Sequence, residues 1–188
     1  MELWNSEWFS RAQKRADLLG LKWCMYDETL VIAQPIVDFM YPMYDNIPQA
    51  KASAETALNL LEKIASEPGP FNFVGQGTSG ITASVLGCLE RPGSSIIQLR
   101  KRGEESHTGD HGLWHLSRAI PTVFMDDTIE TGDTIIQVSD KLKQYSDAGV
   151  SEKSSIDYVI IGSGVDFGFA SWISIIKPKI VICNSITP

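Results

Sequence analysis

Apolar and polar positions along this chain switch between two periods. From Ser6 onward the apolar residues Trp8, Phe9, Ala12, Ala16 and Leu19 recur at helical spacing, with Ser6 as a cap and Gly20 as a stop. Two short strand-like runs follow at 21–26 and 29–33, joined by the turn-like Asp27-Glu28. The aromatic, proline-bounded segment 35–48 is left unassigned. Between 49 and 67, Ala50, Ala54, Ala57, Leu58, Leu61 and Ile64 predict an amphipathic helix, ended by Pro68-Gly-Pro70. The remainder reads as strand 71–74, helix 81–89, strand 95–99, a long polar loop from 100 to about 117, and strand 122–125 started by Pro121. After these come helix 133–145, strand 156–161, a short helix 167–176 and a last strand 180–183. Strand and helix alternate at βαβ length. The expectation is an α/β fold, with a mainly parallel sheet flanked by helices on both faces and right-handed crossovers. Ligands of such sheets bind at the carboxyl ends of the strands. Repeats, low-complexity tracts and linkers are absent from the pattern, so residues 1–188 are expected to form a single domain.

Composition narrows the function classes. The chain is 43% hydrophobic and 21% charged, ordinary globular usage, and its net charge of −7 argues against nucleic-acid or anionic-membrane partners, both of which reward a basic surface. No apolar run approaches the roughly 20 residues that span a bilayer. The first residues, Met1-Glu-Leu-Trp-Asn-Ser-Glu7, have no apolar leader core. Cys24, Cys88 and Cys183 fit neither a disulfide framework nor a C-x-x-C metal site, and buried thiols in a reducing cytoplasm are expected.

The most informative string is Thr122-Val-Phe-Met-Asp-Asp-Thr-Ile-Glu-Thr-Gly-Asp-Thr134, an apolar strand running into two carboxylates and a turn that opens a helix. A helix N-terminus offers unpaired N–H groups and a positive dipole end to a phosphate. Thr128, Thr131 and Thr134 add hydroxyls, and Gly132 is expected to let the backbone approach the ligand, so that a side chain there would fill ligand space. Asp126 and Asp127 suit the vicinal hydroxyls of a ribose. A solvated strand end is the plain alternative for Asp-Asp alone; the full string is far more specific. It resembles the phosphoribosyl-pyrophosphate (PRPP) signature of the type I phosphoribosyltransferases, with mild departures at Phe124, Thr128 and Glu130.

Two other strand ends extend the resemblance. Gly75-Gln-Gly-Thr-Ser-Gly80 lies between a strand and a helix, and its glycines and hydroxyls can form a backbone nest for an anion, although such a turn alone is also a common tight connection. It lacks the lysine of a P-loop and resembles the family's pyrophosphate loop at Gly75, Gly80 and Ile81, with Ser79 where some members carry a base. The loop Arg100-Lys-Arg-Gly-Glu-Glu-Ser-His-Thr-Gly-Asp-His-Gly112 gathers three cations and two histidines in an acidic chain. It reads either as a solvated loop or as a set of cations that stabilise charge on a departing pyrophosphate. Lys101, Arg102 and His107 match the spacing of the orotate phosphoribosyltransferase loop, with Glu105 in place of its lysine. Arg100-Lys101-Arg102-Gly103 equally fits the adenine-specific pattern, with Glu104 in place of lysine. At a third strand end, Gly162-Ser-Gly-Val-Asp-Phe-Gly168, the aromatics Phe167, Phe169 and Trp172 read as core helix positions or as part of a base pocket.

The resemblance spans roughly residues 71 to 136. It implies the type I phosphoribosyltransferase fold with a small N-terminal hood, residues 1–48, whose base-contacting candidates are Phe39 and Tyr41-Pro-Met-Tyr44. It implies transfer of 5-phosphoribose from PRPP to a nucleobase, orotate first and a purine as runner-up, with release of pyrophosphate. The PRPP-binding residues implied are Asp126, Asp127, Thr128, Ile129, Glu130, Thr131, Gly132, Asp133 and Thr134. Gly75, Gln76, Gly77, Thr78, Ser79 and Gly80 form the pyrophosphate loop, and Arg100, Lys101, Arg102, His107, Asp126 and Asp127 act in catalysis. Mg²⁺ is expected to arrive on PRPP rather than in a protein cage, and the family's members are commonly homodimers. A non-catalytic PRPP- or nucleotide-binding regulator with the same fold is the reading of a different class.

Overall fold

The computed structural model describes residues 6–35, 46–101, 110, 112–117 and 119–187. Helix α1 (Ser6–Leu18) leads into the hairpin β1 (Lys22–Tyr26) and β2 (Thr29–Ala33), whose turn holds Asp27 and Glu28 at positive φ. Helix α2 (Ile47–Ala65) starts where the Asn46 side chain accepts from the Gln49 N–H at 3.2 Å and Pro48 takes a first-turn position that needs no N–H. It stops at Ser66 in the left-handed region, ahead of Pro68. Then come β3 (Asn72–Gln76), α3 (Gly77–Glu90), β4 (Ser95–Leu99), a short 3₁₀ turn (Leu113–His115), β5 (Thr122–Asp126), α4 (Asp133–Asp147) and β6 (Tyr158–Ile161). The chain ends with β7 (Val165–Asp166), α5 (Ser171–Ile176), β8 (Ile180–Cys183) and β9 (Ile186–Thr187).

The main sheet has seven strands in the order β1-β2-β8-β6-β5-β3-β4, antiparallel only at β1–β2. Strands buried on both sides read as continuous apolar runs, as Thr29–Ala33, Tyr158–Ile161 and Ile180–Cys183 do. Alternate residues feed two cores. Val123, Met125, Tyr158, Ile160, Ile180 and Ile182 face α1, α2 and α3. Val74, Phe124, Val159, Ile161 and Val181 face α4 and α5, with Ile135, Val138, Leu142 and Trp172 above them. The expected helix-sheet-helix layering is what the chain forms.

Growth of the sheet changes direction between β3 and β5: β4 is added outward from β3, while β5, β6 and β8 are laid down on its other side. That reversal opens a crevice at the carboxyl ends of β3 and β5. Residues 22–33, within the stretch expected as a hood, form the edge hairpin of the main sheet, with β2 parallel to β8. The hood candidates at 39–44 lie outside the described residues. The expected helix 167–176 is corrected: Val165–Asp166 instead pairs with Ile186–Thr187, and the helix begins only at Ser171. The Asp166 side chain accepts from the Gly168 N–H at 2.8 Å, a local turn that competes with helix in this stretch.

Candidate functional site

Strand β5 delivers Asp126 to the crevice almost fully buried, at 4% exposure, with Asp127 half-buried beside it. The Asp127 N–H donates to Asp126 Oδ1 at 2.9 Å, and the Ser79 hydroxyl lies near enough to the Asp126 carboxylate to favour its charged form. Burial, above all, and then the neighbouring Asp127 carboxyl push Asp126 up to about 7. Thus the two loops singled out by sequence meet at one carboxylate: Ser79 belongs to the first turn of α3, Asp126 to the end of β5.

Beyond the pair, residues 128–134 form an open loop enclosing a cavity of about 280 Å³, with Thr128, Glu130, Thr131 and Asp133 exposed. Helix α4 then starts after Gly132, an N-cap residue that has no side chain to offer its first-turn N–H groups. Thr131 Oγ1 accepts weakly from the Asp133 N–H at 3.3 Å. The role expected for Gly132 needs correction. Its φ is +85°, and a Cβ there would lie 2.5 Å from Trp172 Cβ and 2.8 Å from the indole ring, so glycine is required by core packing against α5 rather than by ligand space.

The segment 75–80 is also built differently from expectation. There is no separate loop: β3 runs to Gln76, and α3 begins at Gly77, φ +70°, after an extended, uncapped Gln76. A Cβ at Gly75 would sit 2.3 Å from the Gly80 carbonyl oxygen, so this glycine lets strand and helix backbones touch. The Gln76 side chain is not free for an anion, because its Nε2 donates to the Arg100 carbonyl at 2.8 Å. Thr78 is exposed and borders a cavity of about 250 Å³ shared with Thr82, Gln98 and Arg100. Lys101 lies over this turn, with its Cε 3.1 Å and its ammonium 3.4 Å from where a Gly77 Cβ would stand. The structure therefore brings Lys101, Gly77, Ser79, Asp126 and Asp127 to one crevice. Arg102 and His107, with Gly103, Glu104, Glu105 and Thr108, lie outside the described residues.

Sequence reasoning missed a polar cluster at the start and end of the 100–112 loop. Asp110 accepts from the Arg100 N–H at 2.5 Å, from the Tyr145 hydroxyl at 2.6 Å and from the Lys141 ammonium at 3.0 Å. Lys141 also donates to the Arg100 carbonyl at 2.6 Å. Burial pushes the Asp110 carboxyl up, but bonds from Tyr145, the Arg100 N–H and Lys141 outweigh it and hold it below the usual carboxylate value. The Asp110 bond raises the Tyr145 phenol to about 12. The available signal was the four-residue spacing of Lys141 and Tyr145, which puts both on one face of α4.

At the third strand end, the Gly162 N–H donates to the Asp126 carbonyl at 3.1 Å. A cavity of about 340 Å³ lies between Ile129, Glu130 and Thr131 on one side and Val165, Asp166, Phe169 and Trp172 on the other. Trp172 is buried, as a core position should be; Phe169 is 68% exposed; and Phe167 stacks on Tyr26 with ring centres 4.5 Å apart.

The sequence matches no family model and no curated protein. Among solved structures the chain is similar to an adenine phosphoribosyltransferase of Saccharomyces cerevisiae complexed with an imino-altritol bisphosphate and adenine. The identity is 18% and the TM-score 0.52, over 92% of this chain and 97% of that one. The Giardia lamblia adenine enzyme with 9-deazaadenine follows at 10% and 0.50, over 94% and 98%. An orotate phosphoribosyltransferase of Mycobacterium tuberculosis in complex with PRPP gives 10% and 0.45, over 94% and 89%. At these identities the first two likenesses establish the fold: a seven-stranded, mostly parallel sheet between helices, as in the type I phosphoribosyltransferases.

Proposed function

We propose that this chain is a PRPP-dependent phosphoribosyltransferase, transferring 5-phosphoribose from PRPP to a nucleobase nitrogen and releasing pyrophosphate. The observation that carries the reading is the junction at Asp126, where the acidic pair, the first turn of α3 through Ser79 and the open loop 128–134 converge. In this reading the 5-phosphate lies against the uncapped start of α4 with Thr128, Thr131 and Thr134, and the ribose diol bonds Asp126 and Asp127. The pyrophosphate lies along Gly77–Gly80 below Lys101 and Arg100, with Arg102 and His107 supplied by the same loop. Charge on the departing pyrophosphate grows as its bond to C1 breaks, so cations held there act chiefly in the transition state.

Mg²⁺, a hard cation that takes oxygen ligands, fits the acidic pair. In this reading the ion would be carried on PRPP oxygens, with Asp126 and Asp127 at its edge. When bound, it neutralises charge on the pyrophosphate. A homodimer in the cytoplasm accompanies the reading by the resemblance of the motifs.

Two bases compete. The spacing of Lys101, Arg102 and His107 favours orotate. The cavity beside loop 128–134 favours an uncharged base such as adenine: Glu130 and Asp166 line it with Val165, Phe169 and Trp172, and its described lining residues include no Lys, Arg or His. An orotate carboxylate placed there would face two acids without a partner. The adenine and 9-deazaadenine complexes of the two proteins of like fold support the same alternative. The deciding assay incubates the protein with PRPP, Mg²⁺ and each of orotate, uracil, adenine, guanine, hypoxanthine and xanthine, and detects nucleotide and pyrophosphate. Formation of one nucleotide is expected; PRPP binding with no product from any base gives the chain to the regulator class.

A further inference from the structure

We propose that Asp110 is a positioning residue: through Arg100, Lys141 and Tyr145 it sets the direction in which Lys101 leaves β4, holding that ammonium over the first turn of α3. The inference rests on the PRPP reading only for what Lys101 meets there, an anionic pyrophosphate.

Arg100 is the first residue after β4, the edge strand, and β4 has a strand neighbour on one side only. A residue so placed has no ladder to fix its peptide planes. Here both are fixed by side chains from elsewhere. Its N–H donates to Asp110 Oδ1, and its carbonyl accepts both Lys141 Nζ at 2.6 Å and Gln76 Nε2 at 2.8 Å. Those partners come from three elements: the far end of the loop, the third turn of α4 and the tip of β3. With the peptide between Arg100 and Lys101 clamped from two sides, the Lys101 stem leaves the strand toward Gly77, where its Cε and ammonium lie. Gln76 and Lys141 share one carbonyl, and Asp110 holds Lys141 in place with 3.0 and 3.2 Å contacts to its two oxygens. Removing the Asp110 charge would free Lys141 to swing toward solvent and leave the carbonyl to Gln76 alone. Tyr145 completes the clamp, its hydroxyl bonding the second Asp110 oxygen at 2.6 Å.

Asp110 does not itself reach the crevice, so its effect should pass chiefly through Lys101, with Arg100 beside it carrying the remainder. The test is a double-mutant cycle read by calorimetric binding of inorganic pyrophosphate with Mg²⁺ to the wild type, Asp110→Asn, Lys101→Ala and the double variant. Asp110→Asn is expected to weaken pyrophosphate about tenfold, since bonds to charged groups are the stronger ones, and to have a far smaller effect once Lys101 is Ala. Equal weakening in both backgrounds, or none in either, overturns the proposal, because a merely structural Asp110 acts regardless of Lys101. Should Asp110→Asn fail to fold, Tyr145→Phe carries the same test, with a loss of roughly threefold that again shrinks in the Lys101→Ala background. Wild type that binds pyrophosphate but makes no nucleotide with any base defeats the enzymatic reading and leaves this cycle readable. Wild type that binds no pyrophosphate overturns the positioning role as well.

Discussion

Two strand-to-helix turns stand side by side at the carboxyl edge of the sheet, after β3 and after β5, and both are rich in glycine and hydroxyl groups. After β3 the helix begins at once, at Gly77, and Gly75 serves contact between the strand and the carbonyl of Gly80. After β5, six residues intervene before α4, their hydroxyls stand exposed around a cavity, and Gly132 backs onto Trp172. One turn is closed by backbone contact, the other held open by a core aromatic beneath it. Similar residue strings therefore carry different physical demands: packing requires glycine in both, against the Gly80 carbonyl in one and against Trp172 in the other.

The contrast is broken most severely at Gly75. Gly75→Ala puts a methyl 2.3 Å from a backbone oxygen that cannot move without moving α3, and a loss of ~3 kcal/mol or more is expected in urea unfolding. Gly132→Ala should follow at ~2 kcal/mol, from positive φ and from the collision with the Trp172 Cβ at 2.5 Å. A Gly132 variant with unchanged melting temperature and lost PRPP binding would return this glycine to ligand space and dissolve the comparison.

Third comes the carboxylate where the two turns meet. The pKa of Asp126 is raised from 3.8 to about 7, chiefly by burial and then by Asp127, so its protonated form is favoured by folding. Its contribution to stability is full below the ordinary carboxylate range and is lost as pH rises through about 7. Asp126→Asn does not titrate, so the melting temperature of the variant should gain on wild type between pH 5 and pH 8, by on the order of 2 kcal/mol in stability. In the proposed PRPP site the ribose diol and Mg²⁺ would take the ionised form, so wild-type affinity should rise over the same interval while the Asp126→Asn, Asp127→Asn double variant loses turnover at every pH. A flat difference in melting temperature would contradict the burial argument.

The smallest effect separates the turns by ligand alone. Thr131→Ala removes an exposed hydroxyl from the open loop and should weaken PRPP by roughly threefold to tenfold, about 1 kcal/mol, with no change in melting temperature. Equal loss in a Thr82→Ala variant, from the far side of the other turn, would show that the hydroxyls act without regard to which turn bears them.

What could be read from sequence divides along the same line. Strands at 29–33, 95–99 and 180–183 were legible to the residue because each is a local apolar run, and the acidic pair followed by x-Thr-Gly-x-Thr marks its own strand end. The purposes of Gly75 and Gly132 were not legible, since they are decided by the Gly80 carbonyl in the next element and by Trp172, forty residues away in sequence. The Asp110 cluster was hidden likewise: its members come from residues 76, 100, 141 and 145, and nothing local ties a loop aspartate to a helix lysine. The short helix expected from 167 was shortened by an aspartate turn and by pairing with the final strand, a partner twenty residues downstream.

The reversal of sheet growth between β3 and β5 has a further meaning for how such a molecule can be altered. Because the crevice arises from wiring, Asn72 sits opposite both Ser95 and Thr122 whatever the loops above contain. The two turns after β3 and β5 and the exit of β4 are therefore mounted on one frame and laced together above it, Gln76 and Lys141 meeting at the Arg100 carbonyl, so a change made in any one of the three is felt by its neighbours.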